Sequence, residues 1–162
     1  MIPQRNLSRL ANRLARTGGR RIPESVLERD YCLSWFLAGL SQSPLRDRLF
    51  FKGGTALKKC YFPDYRFSED LDFTLEEDVP FEITRKELDV AFEKAYQDSG
   101  VLLRYARSDR QPHANRHTFY LNYEGSLGSL PSGKEVKTDI TIKEKVRLPN
   151  RRAPRAASVY GV

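Results

Sequence analysis

Two glycines break the chain between an apolar triplet and a strictly alternating segment, in "LFFKGGTALKKCYFPDYRFSEDLDFTL" at 49–75. No other stretch restricts the fold as much. "LFF" reads as a short apolar strand, and Gly53-Gly54 must end it. "TALKKCY" has the composition of one or two helical turns, and "FPDYRFS" that of a loop. "DLDFTL" then alternates. Leu71, Phe73 and Leu75 point one way; Asp70, Asp72 and Thr74 point the other. The two aspartates are therefore expected on one face, with their β-carbons near enough to grip one ion.

The flanking segments supply the rest of a core. Arg5, Arg9, Arg13, Arg16 and Arg20 recur at helical spacing, so a helix over them carries one cationic face beside a thin stripe of Leu7, Leu10 and Leu14. Gly18-Gly19 ends it. Pro23 opens a second helix, with Glu24 and Glu28 favourable near its start and apolar residues over most of its circumference. Asp30 inside that pattern is either exposed or a buried, paired carboxylate. Residues 83–100 form an amphipathic helix lined by Ile83, Leu88, Phe92 and Tyr96, with Thr84 and Glu87 in capping-box spacing and Gly100 as its stop. "VLLRYAR" and "HTFYLNYEG" read as strands, and "GSLGSLPSG" as a loop or hairpin tip. "EVKTDITIKEK" is the cleanest strand: Val136, Thr138, Ile140 and Ile142 face one side, and Lys137, Asp139, Thr141 and Lys143 the other. Three regions follow: a basic arm over 1–21, a core over 22–148, and an exposed tail over 149–162.

Charge and cysteine usage narrow the setting. The 162 residues are enough for one domain with a real core. No apolar run of about 18 residues exists, so no membrane span is expected. The arginine-rich start lacks the apolar stretch of a secretory signal. Cys32 and Cys60 sit among apolar neighbours outside any C-x-x-C pair, which suits buried, reduced thiols in a cytoplasmic protein. His113 and His117 in "HANRH" follow a proline in a polar stretch and read as loop residues rather than metal ligands. Residues 1–21 hold six arginines and no acid, residues 134–155 are net +5, and the middle is net −4. Basic ends around an acidic middle suit a polyanion held against a metal-binding pocket.

The acids and glycines point to phosphoryl chemistry on a nucleoside triphosphate. Glycines let backbone N–H groups approach phosphate oxygens, and a helix start adds positive dipole. Hard divalent cations need carboxylate oxygens. An attacking hydroxyl must be brought in line. Gly53, Gly54 and Thr55 are candidates to hold the triphosphate, with Arg66, Ser68 and Lys137 as further phosphate contacts. Asp70 and Asp72 are candidate metal ligands, and Asp139 a third acid on a later strand. Lys52, Lys58 and Lys59 add positive charge. "GGTALKK" is not a P-loop, because the G-x-x-x-x-G-K-[ST] spacing fails. A bare glycine pair or a bare D-x-D is usually a turn or a solvated edge; the combination carries the signal.

"KGGTAL" followed by "RFSEDLDF" resembles the AbiEii/AbiGii-type nucleotidyltransferase toxins, a group that includes the mycobacterial MenT-type enzymes. "IPESVLERDY" upstream and "VKTDITI" downstream fit the same layout, so the likeness covers about residues 22–145. It implies an α+β fold like that of DNA polymerase beta-type nucleotidyltransferases, a mixed sheet flanked by helices. It implies catalytic and metal-binding roles for Asp70, Asp72 and Asp139, with Mg²⁺ or Mn²⁺ as cofactor and a nucleoside triphosphate as substrate. The acceptor implied is RNA, notably the 3′ end of tRNA. The arginine face of the first helix, Arg5, Arg9, Arg13 and Arg16, either grips that RNA or is an ordinary solvated face. A cognate antitoxin and a role in phage defence are implied as well.

The sequence departs from that family in one respect. Such toxins continue into a mostly helical part with motifs of the form E-K-L-x-A-L and R-D-x-Y-D, which add a lysine and an aspartate to the site. This chain contains neither, and a surface left open by their lack would favour a homodimer or another partner. Two other readings stand beside RNA transfer. One is nucleotide transfer to a protein or small molecule; the other is a non-catalytic module that binds RNA or a partner.

Overall fold

The structure, a computed structural model, describes residues 1–18, 21–109, 115–128 and 134–143. Five strands form one mixed sheet: β1 (Leu49–Lys52), β2 (Leu71–Leu75), β3 (Leu102–Asp109), β4 (Arg116–Glu124) and β5 (Glu135–Ile142). Their order is β1-β2-β5-β4-β3. β2 and β5 run parallel; the other neighbours are antiparallel. Four helices accompany them: α1 (Gln4–Gly18), α2 (Glu24–Leu40), the single turn α3 (Gly53–Ala56) and α4 (Phe81–Ser99). The expected α+β class holds. Among the described residues no helix is long and apolar enough to cross a membrane.

The alternation in β2, β4 and β5 decides which face is buried. Leu71, Phe73, Phe119, Leu121, Val136 and Ile140 are buried in one cluster with Phe36, Leu37 and Leu88 from α2 and α4. Fully burying such a side chain contributes about 1.5–3 kcal/mol. Helices α2 and α4 meet closely at Gly39, where a Cβ would collide with the Ala91 carbonyl. The small Ala91 and Ala95 on α4 make that approach possible, and both are fully buried.

Several local expectations need correction. Helix α4 starts at Phe81, after Pro80, and has no side-chain cap. Thr84 is instead buried inside it and donates to the Pro80 carbonyl, while Glu87 pairs with Arg48 at 2.9 Å. The buried face runs through Thr84, Leu88, Ala91, Ala95 and Ser99. Ile83 and Tyr96 are exposed. The small residues won because they admit α2. Cys32 is buried, but Cys60 is only half-buried; neither forms a disulfide. Burial pushes the Cys32 thiol up to about 12. His117 lies on β4, with Nε2 3.1 Å from the Val79 carbonyl oxygen and its ring edge-on to Phe81. His113, Gly19, Arg20, most of "GSLGSLPSG" and the 149–162 tail lie outside the described residues.

α1 packs separately. Leu7 and Ala11 are buried against Leu27 of α2 in a small second cluster, with Leu10, Leu14 and Phe67 at its margin. Its arginines Arg5, Arg9, Arg13 and Arg16 are exposed.

Candidate active site

The polar face of the sheet is built by register. Asp72 of β2 lies beside Asp139 of β5 in the parallel ladder. Lys52 of β1 flanks Asp72 on one side, and Thr118 of β4 flanks Asp139 on the other. Neighbouring strands stand about 4.8 Å apart, so these four side chains form one row across the sheet. Asp70 sits just before β2 begins. Lys137 is two residues before Asp139 on the same face of β5.

The glycine turn folds back onto this row. Lys52 ends β1, and Gly53 takes a left-handed φ of 75°. A Cβ at Gly53 would collide with the Asp72 carboxylate. One at Gly54 would meet the Ser68 hydroxyl oxygen at 3.0 Å. Gly53 therefore needs to lack a Cβ for this turn to lie against Asp72, and Gly54 keeps the approach to Ser68 uncrowded. Thr55 is buried, and its hydroxyl donates to the Asp70 carbonyl at 2.7 Å, which ties the helical turn to the start of β2. α3 continues into a π-helical turn, Leu57–Tyr61, before the loop.

The two central carboxylates differ. Burial first, then the nearby charges of Asp139 and Asp70, push the Asp72 carboxyl above the ordinary aspartate value, against the pull of Lys52 and Lys137. For Asp139 burial acts in the same direction, but hydrogen bonds from Lys137 and Thr118 more than offset it, and its carboxyl lies below the ordinary value. Lys137 Nζ donates to Asp139 at 2.7 Å and Thr118 Oγ1 at 2.5 Å. The bond to Asp139 in turn raises Lys137. Lys52 Nζ donates to Thr141 Oγ1 at 2.9 Å, one step along the same face.

The structure therefore brings together Gly53, Gly54, Ser68, Asp70, Asp72, Lys137 and Asp139. It does not bring the arginines of α1 to this face, and Arg66 is exposed on the loop before β2. Two of the lysines are engaged elsewhere. Lys59 is buried and bonded to Asp30 at 2.6 Å and to Ser34 at 2.8 Å. Its burial lowers its own pKa. Asp30 is thus the buried, paired carboxylate of the two options. Lys58 donates to the Pro63 and Tyr65 carbonyls, both at 3.0 Å. Thr118 escaped the sequence reading. Its alternation in "HTFYLNY" places it on the polar face, but nothing in the sequence pairs β4 with β5. Glu28 escaped as well. It is fully buried, bonded to Lys134 at 2.5 Å and to the Leu127 backbone N–H at 2.6 Å.

The donor set suits a hard cation in one respect and not in another. Asp72 is crowded by like charge, which a divalent cation would relieve. Yet among the described residues no three acids, histidines or cysteines stand close enough to hold a metal ion jointly. Both Asp139 oxygens already accept bonds from Thr118 and Lys137. Asp70 and Asp72 are thus the better-placed pair of ligands.

Comparisons with known proteins agree with this fold. Two solved structures share the fold. One is from H. pylori and assigned as a nucleotidyltransferase, at TM-score 0.51 and 19% identity over 83% of this chain and 49% of its own. The other is JHP933 from Helicobacter pylori, at TM-score 0.53 and 18% identity over 78% of this chain and 47% of its own. This chain thus spans about half the length of those structures. No curated protein matches the sequence. The family model described as "Nucleotidyl transferase AbiEii toxin, Type IV TA system" matches residues 35–158, which takes in the glycine turn, the D-x-D pair and Asp139. With that match over most of its length, the chain belongs to the AbiEii nucleotidyltransferase toxin family.

Proposed function

We propose that this protein is a Mg²⁺-dependent nucleotidyltransferase that moves a nucleotide from a nucleoside triphosphate to RNA, with the 3′ end of tRNA as acceptor. As a member of a Type IV toxin–antitoxin family it would work against a cognate antitoxin. The observation that carries the reading is the side-by-side register of Asp72 and Asp139 beneath a glycine turn in which a Cβ at Gly53 would displace Asp72.

In this reading the acceptor's 3′-hydroxyl oxygen bonds to the α-phosphorus, and the bond to the bridging oxygen of pyrophosphate breaks. The backbone N–H groups of Gly53 and Gly54 hold triphosphate oxygens, and Ser68 beside Gly54 donates to them. Asp70 and Asp72 would hold the cation, with Mn²⁺ able to replace Mg²⁺, and its charge would offset that building on the phosphates. Asp139 has a narrower role. Lys137 and Thr118 keep it ionised and poorly basic. It orients the hydroxyl rather than taking its proton, which passes to water.

The test is label transfer from each α-labelled nucleoside triphosphate to total tRNA, beside Asp72→Ala. Label on tRNA that vanishes in the variant supports the reading. Label on protein or small-molecule acceptors, with none on RNA, overturns the acceptor. Equal labelling by Asp72→Ala overturns the site.

A further inference from the structure

A hollow of about 570 Å³ lies between α1, α2 and the loop that leads to β2. Asp70, Asp72 and Asp139 do not line it. Its size falls within the roughly 300–1,000 Å³ of small-molecule sites, and its make-up follows theirs, with apolar walls and a few polar groups. Leu10 and Leu14 of α1, Leu27 of α2 and Pro63 of the loop supply the walls. Ile2 also lines it, and is held there by its backbone N–H, which donates to the Tyr31 hydroxyl at 3.2 Å.

The charged groups around the hollow are of two kinds. Asp30 and Lys59 neutralise each other at 2.6 Å, and both side chains are almost wholly buried. Arg9 and Arg13 stand one helical turn apart on α1, and both are exposed. α1 holds no acid to cancel their charge, and among the described residues no ion pair engages either guanidinium. The hollow therefore offers positive charge at its edge and aliphatic surface within.

That pattern selects among anions. A bare phosphate would leave the aliphatic walls uncovered. A nucleobase needs a ring face to stack on. The one ring among the described lining residues, Phe67, has Lys58 4.0 Å over it and packs on the Leu7–Leu27 cluster. An aliphatic body suits the walls better. Asn6 to Leu14 covers about 12 Å of helix, the reach of a medium-length alkyl chain. We propose that this hollow binds a small amphipathic anion, its alkyl body between Leu10, Leu14 and Pro63 and its acidic head on Arg9 and Arg13. The ligand would rest against both segments that lead into the candidate active site. Lys59 belongs to the π-helical turn that continues the glycine turn, and Phe67 immediately precedes Ser68.

The test is calorimetric titration of the full chain with decanoate, below its micellar range and without nucleotide or divalent metal. It reads the hollow independently of transfer. Decanoate should bind at least about tenfold tighter than decanol, the worth of a charge-assisted bond to its head. Octanoate, with a shorter alkyl body, should bind about tenfold weaker than decanoate. Arg9→Gln with Arg13→Gln should abolish the preference over decanol and leave the melting temperature unchanged, because both side chains are exposed. Bound decanoate should slow amide exchange in residues 6–14 and 57–67. Equal binding of decanol, or no effect of the arginine variant, would overturn the anionic head. Equal binding of octanoate would overturn the aliphatic walls. Adenosine monophosphate that displaces decanoate at equal affinity would make this a nucleotide site instead. Attachment to phosphatidylglycerol vesicles without binding of free decanoate would replace the small ligand by a membrane surface. Protection confined to segments other than these would overturn the location.

Discussion

Glu28 and Asp72 are both carboxylates drawn out of water, and they are handled in opposite ways. Glu28 is fully buried and met by Lys134 and a backbone N–H. Asp30 is matched by Lys59 in the same manner. These pairs join α2 to Leu127 and Lys134 and to the turn after α3, so they hold distant pieces of chain in place. Asp72 lies in a row where burial and two other acids outweigh the help of Lys52 and Lys137. A neutralised carboxylate is a fastening; one left under like-charge pressure is prepared for a cation that arrives later. On the proposed reading, the contrast sets Asp72 apart from the fastening pairs Glu28–Lys134 and Asp30–Lys59.

The sharpest way to break that contrast is to mutate both. Asp72→Ala should cost about 10³-fold in nucleotide transfer with no drop in melting temperature. Glu28→Gln should do the reverse to stability. It leaves Lys134 buried without its counter-charge, a loss of about 3–5 kcal/mol, visible as a fall in the thermal midpoint. If Asp72→Ala melts lower than Glu28→Gln, the division is wrong.

A smaller effect should come from the cation itself. Mg²⁺ at about a hundredfold excess over its dissociation constant should stabilise the unmutated protein by about 2.7 kcal/mol. Asp72→Asn should lose that response in a thermal melt, and Glu28→Gln should keep it. The glycines offer a third comparison. Gly53 and Gly128 both have φ of 75°, but a Cβ at Gly128 meets nothing within 4 Å. Gly128→Ala should cost only the left-handed strain, about 1–2 kcal/mol. Gly53→Ala should cost more and reduce transfer as well, because its methyl group displaces Asp72.

The pH dependence is the smallest signal. The Asp72 carboxyl is raised in the fold, so its stabilising contribution is present below its unfolded value and is lost as pH rises through the folded one. Asp139 is lowered, so its contribution is present above its unfolded value and is lost as pH falls through the folded one. Asp72→Asn should therefore gain in melting temperature over the unmutated protein as pH rises from 4 toward 7, and Mg²⁺ should narrow the gap. A gap that stays constant over that range would mean that burial and like charge do not raise the Asp72 carboxyl.

Much of this was legible in the chain itself. The alternation in "DLDFTL" and "EVKTDITI" placed the three aspartates on polar faces, because side chains of a strand must alternate. The glycine pair marked a turn for the same kind of local reason, and the arginine spacing on α1 revealed a cationic helix. Local geometry is encoded in local sequence. What depended on distant partners was not readable. Only the fold set β2 beside β5 in the register that aligns Asp72 with Asp139, and only it brought Thr118 to Asp139. The fate of charges was equally hidden. Lys59 and Glu28 look like solvated residues in a list of letters, yet each is buried because a partner from another segment neutralises it. Composition likewise identified a basic arm, but only the fold showed that Leu7 and Ala11 seat it against Leu27 of α2. Periodicity fixes which way a side chain points, and tertiary packing decides what stands opposite.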